Sequence, residues 1–260
     1  METLTAALFS PETLAQLADF TRSALFVAKG SGYTVALILG AMVLGLALGL
    51  PLSTIDVYGQ GWLRQLTRLY VWFFRGVPIL VLMFLIYFGV FDLVEDLVFK
   101  LLATRINLSP FLASVLALGL ASAAYQSQIF KGAIKSLPVG QFQAARSLGF
   151  TRRATILHVI LPQALRLSIP AWSNEYSILL KDSAVAFVLG TMEIMSRTRF
   201  MASTSLAHIR FYILAGLLYY ILTWLGVKAL ARLEKKIRIP GLGHEAYSTE
   251  DHEPLKRAKS

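Results

Sequence analysis

Between residues 167 and 189 a largely apolar stretch is interrupted by Asn174, Glu175, Lys181 and Asp182, all within nine positions. Residues two helical turns apart share a face, so Asn174 and Lys181 can act together, while Lys181 beside Asp182 can form an internal pair. Polar groups at membrane depth are costly unless they face protein or water. These four therefore either neutralise one another, contact a solute bearing both a cation and an anion, or relay an ion. Arg75 and Pro78 form a second candidate. Pro78 removes a donor and crowds the carbonyl of Phe74, which bends a helix beside a fixed cation. Such a bend can gate a pathway or hold an anionic group; alternatively, Arg75 snorkels to lipid headgroups or satisfies the freed carbonyls. His158, His208, His244 and His252 lack metal-ligand spacing, and no Ser, His and Asp arrangement suggests hydrolysis, so neither a metal site nor a catalytic set is expected. No G-x-x-x-x-G-K-[ST] occurs, which assigns any phosphate-cradling machinery to another polypeptide.

These residues need a scaffold, and composition says which kind. Of 260 residues, 56% are hydrophobic and 15% charged, against roughly 25% charged in an average soluble domain. Apolar content excludes disorder, aperiodic glycine excludes collagen, and the absence of cysteine excludes a disulfide scaffold. An all-α, polytopic membrane bundle remains. Spans are expected at Tyr33–Leu52, Leu69–Phe91 (broken by Arg75-Gly76-Val77-Pro78 one turn in), Pro110–Gln126, Leu167–Leu189 and His208–Ala231, about five in all. Gly45 and Gly49 in the first make a GxxxG spacing that admits a close helix neighbour. Ser10 and Pro11 can open a short helix whose Leu14, Leu17, Ala18 and Thr21 share a stripe, suited either to the membrane surface or to packing on a neighbouring span. Glu2 stands where a signal peptide needs positive charge, so the N-terminus is expected to be retained.

Five spans place the termini on opposite sides. Lys and Arg number 16 in the 53–68, 131–166 and 228–260 segments, against seven in the opposing connections. The N-terminus is therefore expected outside and the C-terminus inside. The net charge of +10 is assigned to these loops and to anionic lipid, not to nucleic acid. The expected organisation is an external or interfacial segment at 1–30, a transmembrane domain at 31–231 and a cytoplasmic tail at 232–260. No internal repeat is visible, which weighs against an inverted-repeat carrier.

Residues 136–166 are basic, lack Asp and Glu, and are too apolar for a linker. Gly140 can end the preceding turn, Phe142, Ala145, Leu148 and Gly149 follow helical spacing, Gly149 stops that helix, and Thr151 caps a second one bearing Ile156, Val159 and Ile160. Two short helices at an angle suit either a knob for a cytoplasmic partner or an interfacial hairpin.

Within this segment, Gln143-Ala144-Ala145, three residues, Gly149, nine residues, Val159, one residue and Leu161-Pro162 resemble the EAA loop of ABC importer permeases, E-A-A-x3-G-x9-I-x-L-P. Residues 125–183 and YVWFFRGVPILVLMFLIYFG at 70–89 are similar to the polar amino acid uptake branch, the histidine, glutamine, arginine and opine type. The resemblance implies a permease subunit in the bacterial cell inner membrane. It also implies a second permease subunit, a cytoplasmic ATPase dimer that holds ATP and Mg and receives the loop, and an external solute-binding protein. No cofactor is then bound by this chain. Asn174, Lys181 and Asp182 match the branch's N-x6-K-D block. The chain departs from the family at Gln143 and Gln128, where Glu is usual. Glutamine keeps hydrogen bonding but loses the Coulomb attraction of a carboxylate, which points to an unlike second subunit that retains Glu, with two copies of this chain as the alternative. The rival function is an ion-coupled or passive carrier.

Overall fold

The computed structural model describes residues 11–102, 104 and 108–237, with side chains from Ala18 onward. The expected roles of Ser10, Leu14, Leu17, His244, His252 and the 238–260 tail lie outside that description. Among the described residues every regular element is helical. In chain order these are α1 (Pro11–Ala28), α2 (Gly30–Tyr58), α3 (Gly61–Gly76), α4 (Ile79–Leu102), α5 (Pro110–Ser136), α6 (Val139–Ser147), α7 (Arg152–Leu167), α8 (Ile169–Leu189), α9 (Ile194–Ser205) and α10 (His208–Ile237). Three helical stretches are long and apolar enough to cross a membrane, or five if two broken pairs each count once.

The helices outrun the apolar windows read from the sequence. Those windows stop at the first polar residue, whereas a helix continues until its backbone is broken. Thus α2 continues through Pro51 to Tyr58, α5 continues ten residues beyond Gln126, and α10 reaches Ile237. Only Lys29 separates α1 from α2, so an apolar helical stretch covers Ala18–Tyr58. At 1.5 Å per residue its 41 residues reach about 60 Å, roughly twice a hydrocarbon core.

Two expected spans are divided. The second, expected over Leu69–Phe91 with a break at Arg75–Pro78, is broken there and is longer at both ends: α3 begins at Gly61 and ends at Gly76, and α4 restarts at Ile79 and reaches Leu102. Pro78 has φ −57° and ψ 140°, an extended conformation, and proline also excludes α-geometry from the residue before it, so the chain breaks here. The fourth is also divided. Its helix is interrupted at Ser168, runs as an α-helix to Asp182, tightens to a 3₁₀ turn over Ser183–Leu189, and is stopped by Gly190 at φ +88°. Two π-turns interrupt α4 at Leu85–Phe91 and α7 at Thr155–Ile160.

The chain forms two compact units. One comprises the residues up to Leu44, Gly76–Ala121 and Ile178–Trp224. Its apolar centre gathers Val27, Ile194, Ala202, Phe211 and Ala215, and α1 packs there through Phe20 on Phe211 (5.6 Å between ring centroids) and Phe26 on Phe200 (6.1 Å). Glu193, fully buried, caps α9 by accepting from the amides of Met195 and Ser196 and from the Tyr219 hydroxyl (2.7, 2.6 and 2.6 Å). Burial pushes its carboxyl above the ordinary range, against the pull of those three donors. Beside it Arg197 donates to the Phe26 carbonyl (3.2 Å) and lies over the rings of Phe26 and Tyr33.

The other unit comprises Gly45–Arg75, Ser122–Ser177 and the chain from Leu225. Its centre is Ala133, Ile134, Leu137, Ile156, Ile160, Leu161 and Ala164, flanked by Leu50, Val57, Tyr58, Phe142 and Leu167. In this unit α2 meets α5 at the expected glycine pair: a Cβ on Gly49 would lie 3.0 Å from the Ala123 carbonyl oxygen, and one on Gly45 2.3 Å from Gln126 Nε2.

Candidate functional site: the 136–166 loop and the buried polar residues

After α5 ends at Ser136, Pro138 opens α6 from an extended conformation (φ −58°, ψ 133°). Gly140 is therefore inside α6 and does not end the preceding turn, which corrects its expected place. At the other end of α6, Gly149 N–H donates to Arg146 O and Phe150 N–H to Ala145 O, both at 3.1 Å. This pattern, with Gly149 at φ +86°, is the Schellman stop that favours glycine. Thr151 then caps α7, its Oγ1 accepting from Ala154 N–H at 3.2 Å. The helix–turn–helix form anticipated from glycine and threonine spacing is present.

Both helices are fastened to the end of α2. Tyr58 stacks on Phe142 of α6 with 6.2 Å between centroids and 18° between planes. Arg152 Nη2 donates to the Tyr58 carbonyl at 3.0 Å. The motif residues divide between two tasks. Ala145 and Leu161 are buried and Val159 is half-buried, so they hold the loop together. Gln143, Ala144, Gly149 and Pro162 are exposed. Around them Val139, Leu148 and Leu157 also lie open, Leu148 at 80%, with Arg146, Arg152 and Arg153 at their rim. Exposed apolar side chains among cations are a combination found on protein contact surfaces.

The membrane-depth residues separate. Asn174 is exposed on α8, whereas Glu175 next to it is buried, 4% exposed. Glu175 ends a chain of donors: Trp172 Nε1 donates to Gln126 Oε1 (2.8 Å), Gln126 Nε2 to Ser122 Oγ (3.1 Å), and Ser122 Oγ to Glu175 Oε1 (2.7 Å). Successive bonds of this kind polarise one another and fix the carboxylate's position. In the same unit the Arg75 guanidinium lies 5.1 Å from the Tyr125 ring centroid, so the ring face holds a cation that the sequence left between lipid and pathway. Pro78, Lys181 and Asp182 belong to the other unit. There Lys181 is exposed and Asp182 half-buried.

Sequence reasoning passed over a second polar centre. Asp56, 2% exposed near the end of α2, pairs with Arg64 (3.6 Å) and Arg68 (3.2 Å) of α3 and with Lys131 of α5. One signal was available: Asp56 is the sole acid between Asp19 and Asp92. Ser122, Gln126 and Trp172 were equally missed, since a lone serine or glutamine in an apolar run carries no pattern. Among the described residues no group of His, Cys, Asp and Glu has the arrangement of a metal site.

Comparison with known proteins places this geometry. Residues 41–239 match the family described as binding-protein-dependent transport system inner membrane component. A probable amino-acid permease protein, YxeN of Bacillus subtilis (strain 168), is 36% identical over 73% of this chain and 81% of its own. The arginine ABC transporter permease protein ArtM of Haemophilus influenzae is 31% identical over 81% of this chain and 92% of its own. A crystal structure of an amino acid ABC transporter with histidines superposes with a TM-score of 0.71 at 27% identity, covering 86% of this chain and 98% of that one. The chain thus belongs to the family of inner-membrane components of binding-protein-dependent ABC transport systems, a helical permease subunit whose ATPase is a separate polypeptide.

Proposed function

We propose that this chain is the permease subunit of an importer for polar amino acids or close relatives such as opines, multi-pass in the bacterial inner membrane with its N-terminus outside. The exposed knob formed by α6 and α7 carries this reading: four residues of the resemblance motif face outward on it, while the other three pack it onto its unit. The knob seats on a cytoplasmic ATPase dimer, which holds ATP and Mg; closure of that dimer displaces paired knobs and moves the pathway between inward and outward states. An external binding protein delivers the solute. Glu175, fixed by its donor chain, and Asn174 beside it offer hydrogen bonds to an ammonium group in transit, and Arg75 of the same unit offers a charge; Lys181 and Asp182 of the other unit are pathway candidates on their own account. Pro78, which breaks the chain between α3 and α4, supplies the bend of a gate.

The second permease subunit is an unlike chain. Gln143 is exposed on the knob, where a carboxylate could pair with a cation on the ATPase or within the loop, and a partner subunit retaining Glu compensates for its absence here. Restoring Glu by Gln143→Glu is therefore tolerated, at about 1 kcal/mol or less for an exposed charge.

The test is isolation in gentle detergent followed by reconstitution into sealed vesicles, with tritiated L-arginine, L-histidine and L-glutamine as probes. Uptake that requires ATP on the ATPase side is expected. Uptake driven by a proton gradient with no ATPase present overturns the proposal in favour of an ion-coupled carrier. Crosslinks between knobs are expected to join this chain to a different permease; two copies of this chain with full activity overturn the unlike-subunit part alone.

A further inference from the structure

Asp56 is a buried carboxylate ringed by the more exposed cations of Arg64, Arg68 and Lys131. These four residues come from three helices, and each helix leads to something already described. Two residues beyond Asp56, Tyr58 stacks on Phe142 of α6 and accepts from Arg152 of α7 through its carbonyl. Five residues before Ser136, where α5 gives way to the loop, stands Lys131, and one helical turn and a half earlier on the same helix stands Tyr125, under the Arg75 guanidinium. Arg64 and Arg68 lie on α3, whose last turn carries Arg75 at the chain break.

We infer that Asp56 is a positioning residue for transport: it clamps α3 and α5 to the end of α2, so that a displacement of the α6–α7 knob is passed to Arg75 in the last turn of α3. The apolar contacts of Tyr58 and Phe142 move the end of α2 with the knob. A buried carboxylate with three cations around it then obliges α3 and α5 to follow, since parting from them leaves a charge without a partner in a site 2% exposed. Contiguous contacts of this kind transmit a coupling only when breaking one link alters the outcome at the far end. The inference rests on the importer reading above, because it concerns how ATP-driven motion reaches the pathway.

The experiment measures solute imported per ATP hydrolysed by the full reconstituted complex, with the three tritiated amino acids as probes. The variants are Asp56→Asn, Arg64→Gln with Arg68→Gln, and all three together, with Asp56→Glu as the conservative control. For a link of ordinary coupling strength, uptake per ATP is expected to fall about tenfold in the first two, with the ATPase still bound and hydrolysing. The triple variant is expected to be no worse than Asp56→Asn alone, because the arginines have nothing further to lose once the carboxylate is neutral, and Asp56→Glu to recover most of the loss. The arginine pair decides the matter if Asp56→Asn does not assemble, since both arginines are partly exposed at 44% and 58% and their loss spares the core. Unchanged uptake per ATP in the arginine pair overturns the inference, as do losses that simply add, or losses that follow the amount of assembled complex. Wild-type complex that imports nothing with ATP removes the importer reading itself, a result distinct from variants that match an active wild type.

Discussion

Replacing Gly149 separates two reasons why the turn between α6 and α7 matters. The residue sits at φ +86°, a region that costs an ordinary L-residue about 1–2 kcal/mol, less for Asn and Asp, whose short side chains bond locally. A Cβ built there meets nothing within 4 Å, so no clash adds to the strain and α7 has no steric reason to move. Backbone strain alone therefore ranks Gly149→Ala above Gly149→Asp, with a penalty near the 1.4 kcal/mol that changes an equilibrium tenfold. If the exposed turn meets the ATPase, the order reverses: Asp inserts a side chain and a charge into the contact, while Ala adds one methyl group. We expect both variants to reach the membrane in normal amounts, Gly149→Ala to retain most ATP-driven uptake, and Gly149→Asp to lose it together with co-purifying ATPase. Equal, normal uptake in both refutes the assignment of this loop. Greater loss in Gly149→Ala shows that turn strain, not partner contact, governs the site.

Three further outcomes are expected. Cysteines introduced singly at Thr104 and Ser248 into this cysteine-free chain should be labelled by impermeant reagents from opposite sides, Ser248 from the cytoplasm; labelling from one side sinks the five-span topology. Gly49→Val should destabilise the protein by about 1–3 kcal/mol through overpacking, because its Cβ falls against backbone atoms of α5 at 3.0 and 3.1 Å; an unchanged thermal midpoint in detergent would show that the two helices separate freely. Glu193→Gln should speed hydrogen exchange at the Met195 and Ser196 amides by one to two orders of magnitude, corresponding to about 1–3 kcal/mol for a damaged buried cap, whereas unaltered protection would mean that the carboxylate does not hold the start of α9.

What the sequence revealed depended on how locally each feature was determined. The α6–α7 turn was legible because Gly149 and Thr151 act through backbone groups within five residues of themselves. The helical character of the apolar segments was legible for a similar reason, since twenty apolar residues have few other uses. Helix ends were not, because Pro51 and the polar residues after Gln126 halt a hydropathy window without halting the helix. The break at Arg75–Pro78 was legible, because proline disfavours α-geometry in the residue before it and so acts locally. The polar centres were least accessible. Asp56 and Lys131 stand 75 positions apart and Ser122 and Glu175 stand 53 apart, and without the fold each is an isolated polar residue. Asn174 and Glu175 were grouped as one cluster, yet adjacent residues on a helix point about 100° apart, so one is exposed and the other buried.

The π-turn at Thr155–Ile160 gives the loop a tolerance for changes of length. Bonds from residue i to i+5 hold one residue more than an α-helical turn needs. Deleting a single residue there lets the segment relax into α-geometry while Leu161–Leu167 keep facing the same neighbours. Helix α6 holds no such surplus, so an insertion within Val139–Ser147 would rotate everything after it by about 100°.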